Sequence, residues 1–323
     1  MIHLLSPGRF ERRTGGYLYN ERVAEGLRSR GHQVEVHALR GAWPGANQHA
    51  VAEARALVAS LDSGVVLADG LLWTALAGEQ RPTSRPVAVV VHSPLWREMG
   101  GAWRVREQKA LELADHVVCT SALTARDLAI EGRAAIIEPG TEPGPAATGL
   151  GVGRILCVAS IIPRKGHDVL LDALRDVPGA WTLRCAGSLD QDLPWVREVR
   201  AQSTPRVTWL GELDDASLGW EYQQADLLVS AARFEGWGMA LAEGLVRGLP
   251  VVSTPAGVFE GRASHGAWLE VPPDDPASLA GAITRVLKER SLAHQLSEAA
   301  LSLPFPGWTE QVKRLAGLLA GLD

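Results

Sequence analysis

Two carboxylates bracket one short stretch, "EGWGMALAE": Glu235 stands ahead of a pair of glycines and Glu243 lies inside the apolar run that follows. A carboxylate in apolar surroundings is costly unless it is hydrogen-bonded. A ribose diol would bring two donors to Glu243, and Glu235 could accept from the hydroxyls of a second sugar. Gly236 and Gly238 allow a ligand close to the backbone, and a helix starting near Met239 presents N–H groups suited to a phosphate or sugar oxygen. Upstream, Pro163, Arg164, Lys165 and Gly166 form a turn between a strand and a helix, where two adjacent cations could neutralise a diphosphate. Each signal has a plainer reading. The glutamates could pair with Arg233 or Arg247, and an Arg-Lys pair often sits on a solvated turn.

Two further features could face a ligand. Gly15 and Gly16 precede an amphipathic helix, a place where a backbone accepts an anion, although a glycine pair also makes an ordinary turn. His92 ends the apolar run "VAVVVH" before Ser93 and Pro94. A histidine at a strand's carboxyl end can face a cleft or simply satisfy local backbone groups.

These residues sit in a regular alternation. Runs such as "VEVHAL", "GVVLAD", "PVAVVVHS", "DHVVCTS", "RILCVAS", "WTLRCAG", "RVTWLGE", "DLLVS" and "PVVSTP" are rich in Val, Ile and Leu and barely alternate with polar residues. That pattern predicts parallel strands covered on both faces. Helical patterns cover 16–30, 98–113, 124–130, 167–174 and 239–247, so the fold class is α/β with parallel sheets. At roughly 150 residues per domain, 323 residues predict two domains. The Gly/Pro-rich stretch 139–153, "PGTEPGPAATGLGVG", reads as their connection. The boundaries expected are 1–145 and 146–323, with a final helix at 308–321 able to pack back on the first domain. Ligands would bind at the carboxyl ends of the sheets.

Composition excludes several classes. A net charge of -5 argues against a nucleic-acid binder. Cys119, Cys157 and Cys185 lie in apolar, strand-like contexts and read as buried free thiols. The apolar start meets Pro7 and Gly8 too soon for a signal peptide, and no run reaches the roughly 20 residues of a membrane span. A cytoplasmic location is expected. Membrane association stays open without a basic amphipathic helix to support it. No G-x-G-x-x-G follows the first strand, which disfavours a dinucleotide oxidoreductase.

In order and spacing, these pieces resemble the GT-B glycosyltransferases of the family 4 type, with "GGYLYNERVAEGLRSRGHQV", "HSP", "ADHVVCTS", "IIEPGTE", "PRKGHDVLLDAL", "WLGELDD", "EYQQADLLVS", "EGLVRGLPVVSTPAG" and "VPPDDPASLAGAI" carrying the likeness. The resemblance implies two Rossmann-like doubly wound domains facing each other across a cleft. It also implies retaining, metal-independent transfer of a hexose from a UDP-sugar or GDP-mannose to an acceptor hydroxyl, with no cofactor. By the same resemblance Glu243 would bind the ribose, Glu235 the transferred sugar, and Lys165 with Arg164 the diphosphate. Gly236, Trp237, Gly238 and Met239 would offer backbone donors, and Gly15 and Gly16 would approach the diphosphate. His92 would contact the sugar, and Gly211, Glu212 and Leu213 would hold the base. The acceptor, a small molecule, glycan or lipid-linked sugar, is not indicated.

Ser160 departs from the family pattern, which often places an arginine there; Arg164 is the substitute cation expected. Asp190-Gln191-Asp192 spells a metal-binding Asp-x-Asp but reads as a loop. Two rival readings share the architecture, a sugar-nucleotide epimerase and a catalytically silent module partnering another transferase. The paired glutamates disfavour both.

Overall fold

The central Val-, Ile- and Leu-rich runs form strands buried on both faces, because helices cover each side of two parallel sheets, whereas "VEVHAL" and "RVTWLGE" form edge strands that stay partly exposed. The computed structural model describes residues 1–8, 14–78, 80–262 and 266–322. It divides into one unit of Met1–Gly140 with Pro306–Asp323 and a second of Thr141–Phe305.

The first unit carries β1 (Ile2–Ser6), α1 (Gly15–Ser29), β2 (Val34–Ala38), α2 (Gln48–Ala59), β3 (Val65–Asp69), α3 (Gly70–Ala77), β4 (Val87–Val91), α4 (Trp96–Met99), α5 (Ala102–Glu112), β5 (His116–Cys119), α6 (Ala122–Asp127) and β6 (Ala134–Ile136). Its sheet order is β2-β1-β3-β4-β5-β6, all parallel. Leu5, Val66, Val89 and Val117 pack with α2, α3 and α5 on one face. Leu4, Leu67 and Val90 pack on the other. Asn47, Asp69 and Ser121 cap α2, α3 and α6 by accepting backbone N–H bonds, each worth about 1 kcal/mol. The helix expected over 98–113 is two helices, α4 and α5, because Gly100 takes a left-handed φ of 92° and breaks the run.

The second unit carries β7 (Arg154–Val158), α7 (His167–Arg175), β8 (Thr182–Ala186), α8 (Leu193–Ala201), β9 (Val207–Gly211), α9 (Asp215–Gln224), β10 (Leu227–Ser230), α10 (Met239–Leu245), β11 (Val251–Ser253), β12 (Trp268–Glu270), α11 (Pro276–Lys288) and α12 (Arg290–Leu301). The parallel order β12-β11-β10-β7-β8-β9 is that of a dinucleotide-type doubly wound sheet. α13 (Trp308–Ala320) then returns to the first unit, where Val312, Leu315, Ala316 and Leu319 join the α1 face of the core. A Cβ on Gly26 of α1 would stand 2.7 Å from Val312 Cγ2, so the glycine sets how closely α13 packs.

The connection expected over 139–153 is not a free linker. Ala147 and Thr148 donate to the carbonyls of Arg247 and Gln223 at 2.8 and 2.9 Å. The carboxylate of Asp226 accepts from the backbone N–H groups of Leu150, Gly151, Val152 and Arg154 at 2.7–3.1 Å. Those bonds tie the Gly/Pro-rich stretch to the second unit, and the division accordingly falls at Gly140, ahead of the expected 145. Among the described residues, no helix is long and apolar enough to cross a membrane.

Candidate functional site

In an open parallel sheet the crevice opens where strand order reverses, at the carboxyl ends of the two strands flanking that point. In the second unit those strands are β7 and β10. The turn after β7 is a single 3₁₀ turn, Pro163–Lys165, followed by Gly166 at φ 65°. A Cβ on Gly166 would stand 1.9 Å from the Ala231 carbonyl oxygen. The glycine therefore lets the basic turn lie directly on the chain leaving β10.

That close approach builds the pair at the centre of the site. Arg233 N donates to Arg164 O at 2.8 Å, and Arg164 Nη1 donates to Phe234 O at 2.9 Å. Lys165 Nζ then meets Glu235 Oε2. Both side chains are 16% exposed, dry enough for the pairing to matter and open enough for a ligand to compete. Burial pushes the Glu235 carboxyl up, but the Lys165 and Arg164 charges more than offset this and hold it below its ordinary range. Arg233 is not the partner of Glu235. Its guanidinium forks onto Asp168 at 3.1 and 2.6 Å and reaches Asp274 at 2.7 Å, fastening the turn to the β10 exit.

Beyond Glu235 the chain runs beside the segment after β11. Gly257 N donates to Glu235 O at 3.3 Å and Val258 N to Trp237 O at 2.8 Å. Gly238 has φ 98° and caps α10 without a side chain, leaving the first-turn N–H groups unclaimed by a side-chain cap. The ring of Trp237 packs in the core with Leu241 and Val258, so only its backbone remains for the donor role expected of it.

Glu243 lies on the second turn of α10 and is half-buried. Its main-chain carbonyl accepts from Arg247 Nη1 at 2.7 Å. Its carboxylate faces the buried Tyr222 phenol, whose pKa is pushed well up by burial and then by the Glu243 charge. Tyr222 also reaches the Ala240 carbonyl at 3.1 Å. Nothing in the sequence pattern singled out Tyr222.

The rim continues along β8 and β9. Ser160 Oγ accepts from Gln191 Nε2 at 3.0 Å. Asp192 caps α8 through Trp195 N, and Asp190 accepts from Ser188, so this Asp-x-Asp spelling serves local loop bonds. A Cβ on Gly187 would stand 2.1 Å from Ala159 O. Gly187 N donates to Gly211 O at 2.8 Å, and Gly211 turns the chain at φ 71° toward Glu212 and Leu213. All three cysteines are free and buried.

The first unit gathers a separate set at its own reversal point, between β1 and β3. His92 Nε2 lies 3.2 Å from Asn20 Oδ1 and 3.4 Å from Asp69 Oδ2, and Asn20 Nδ2 donates to Asp69 Oδ2 at 2.8 Å. Tyr19 packs edge-on against the ring. A Cβ on Gly16 would stand 3.2 Å from His92 Cδ2, so this glycine and the histidine are neighbours, whereas Gly15 is exposed at the helix start. Asn20 and Asp69 escaped the sequence reading because each belongs to a different element from His92.

Glu107 is another missed residue. From α5 it accepts the Leu95 N–H on both oxygens at 3.0 Å, holding the loop that follows His92. Burial first, then the Asp127 charge, raise its pKa to about 7 against backbone bonds that lower it. The folded protein therefore keeps a proton that the unfolded chain releases, and stability falls as pH rises from the ordinary carboxylate range through about 7. The full effect is roughly 3 kcal/mol. Glu107→Gln is expected to narrow the difference in melting temperature between pH 5.5 and pH 8; an unchanged difference would remove Glu107 as its source.

Comparison with known proteins adds to this geometry. Residues 153–289, within the second unit, match the family model described as glycosyl transferases group 1. Phosphatidyl-myo-inositol mannosyltransferase of Mycobacterium leprae is 30% identical over 138 residues, covering 39% of this chain and 34% of that protein. The chain thus spans about a third of the length of that curated relative. Sucrose-phosphate synthase from Thermosynechococcus elongatus superposes with a TM-score of 0.80 at 20% identity, over 99% of this chain and 98% of that one. Anabaena HepE, solved in complex with UDP and glucose, superposes with a TM-score of 0.77 at 18% identity, over 99% of each chain. The two six-stranded parallel sheets with flanking helices are those of the GT-B fold.

Proposed function

We propose that this protein is a glycosyltransferase of the retaining family 4 type, moving a hexose from a nucleotide-diphosphate sugar to an acceptor hydroxyl without a metal. The observation that carries the reading is the Lys165–Glu235 pair beside Arg164 at the reversal point of the sheet, within the segment that matches the family model. In the absence of donor the two groups neutralise each other. An arriving diphosphate takes Lys165, and the hexose hydroxyls take Glu235, so the charges exchange partners rather than being stripped bare. HepE, with its UDP and glucose, supports a UDP-sugar as donor, and the mannosyltransferase relative supports mannose as the sugar.

Chemistry would then rest on positioning and on charge that develops at the leaving diphosphate. Lys165, Arg164 and the first-turn N–H groups of α10 stabilise that charge. The leaving phosphate, on the same face as the acceptor, takes the acceptor proton. Glu243 grips the ribose, and Tyr222 holds Glu243 in place. In the first unit, Asn20 and Asp69 hold the ring of His92.

A thermal-shift panel of UDP-, GDP- and ADP-sugars tests this reading. One donor class at about 100-fold excess over its Kd is expected to raise the melting temperature by roughly 5 °C or more. Glu243→Ala is expected to lose most of that rise. A panel without any shift, or an equal shift in Glu243→Ala, would refute it.

A further inference from the structure

His3, Glu35 and His37 form a cluster that the transfer reaction does not use. β2 is the outer strand of the first sheet, and its register sets Glu35 opposite His3 and His37 opposite Leu5. Side chains two apart on a strand share a face, so Glu35 and His37 project on the same side of the sheet as His3. The ligand-type atoms converge. His3 Nδ1 lies 3.0 Å from His37 Nε2 and 3.5 Å from Glu35 Oε2, and His37 Nε2 lies 3.8 Å from Glu35 Oε2.

Those three separations decide between two readings. A plain hydrogen bond between the imidazoles uses the shortest of them and leaves Glu35 at ion-pair distance from both rings. A point equidistant from all three atoms lies about 2.0 Å from each, which is the bond length of zinc to imidazole nitrogen and carboxylate oxygen. No ligand atom has to move to reach it. The side chains of His3 and His37 are only 8% and 11% exposed while Glu35 is 57% exposed. The site thus has two dry nitrogen ligands and a carboxylate on the solvent side, where an ion can enter and a water can complete the shell.

We propose that His3, Glu35 and His37 bind one zinc-class divalent cation that staples the outer strand β2 to β1. Two imidazoles and one carboxylate suit zinc and its late first-row neighbours, whereas calcium and magnesium favour all-oxygen shells. The ion lies outside the donor-binding residues, and the proposed transfer does not depend on it.

Titration of the metal-depleted full-length chain with zinc chloride, followed by elemental analysis after gel filtration, tests the proposal. The expected result is one zinc per chain with a Kd on the order of 1 µM or tighter, with no comparable binding of calcium or magnesium. His37→Gln and Glu35→Gln are expected to weaken zinc at least about tenfold. Glu35 is exposed, so the second variant keeps the fold even if changes at the dry histidines do not. His294→Gln, in an exposed helical pair with Glu298, is expected to leave affinity unchanged. Absence of saturable zinc binding, or binding that survives both Glu35→Gln and His37→Gln, would overturn the proposal and leave a hydrogen bond between two histidines.

Discussion

Glu235→Gln is expected to lower kcat/KM for sugar transfer by about 10²- to 10³-fold, the loss typical of one pre-aimed group at a reacting centre. Glutamine keeps the shape of the side chain and removes the charge that Lys165 faces. Alanine would be a blunter probe, because it would leave a cavity beside a half-buried ammonium as well. Some stability should be lost in either case. The depressed Glu235 pKa means that the pair's contribution is complete above the ordinary carboxylate range and disappears as acid protonates the folded group. The variant should therefore show a shallower loss of stability on acidification than the parent. Unchanged kcat/KM in Glu235→Gln would remove the residue from the reaction, whatever its effect on stability.

The second large effect is expected at Lys165. Lys165→Ala should weaken binding of the cognate nucleoside diphosphate by about 10- to 100-fold in calorimetry, as befits a charge-assisted bond of roughly 1.5–3 kcal/mol. The nucleoside without phosphates should bind the variant and the parent alike, because the lysine is assigned to the diphosphate alone. Equal diphosphate affinity in the two proteins would leave the basic turn as surface. Arg164 provides a contrast. Its main chain and Nη1 already join the turn to Arg233 and Phe234, so its replacement should disturb the turn as well as the charge.

The individual groups were legible in the sequence more readily than their partners. Glu235, Glu243 and Lys165 stood out because charged groups beside glycines and apolar runs need a reason. The partner of Glu235 could not be read off, since sequence proximity favours Arg233, which instead holds Asp168 and Asp274. Lys165 reaches Glu235 only because β7 and β10 are neighbours in the sheet, and strand order is not written in any one strand. The same limit hid Asn20 and Asp69 beside His92. The strands themselves were clear, because parallel strands covered on both faces must be apolar throughout. Trp237 was expected to serve through its backbone alone, and its ring is accordingly spent on the core with Leu241 and Val258. Asp226 gave no warning either, because its four backbone partners lie more than seventy residues earlier.

The return of α13 to the first unit reverses the usual order of events during synthesis. Domains generally fold as they emerge, N-terminal first. Here the six strands of the first sheet leave the ribosome early, yet Val312, Leu315, Ala316 and Leu319 belong to the same core and are made after the whole second unit. The second unit is one continuous stretch and can close on its own while the α1 face of the first still exposes Leu4, Val23 and Leu27. A nascent chain stalled between the second unit and α13 would present that apolar face to chaperones, and a stop at that point would damage the first unit, although all six of its strands had been made.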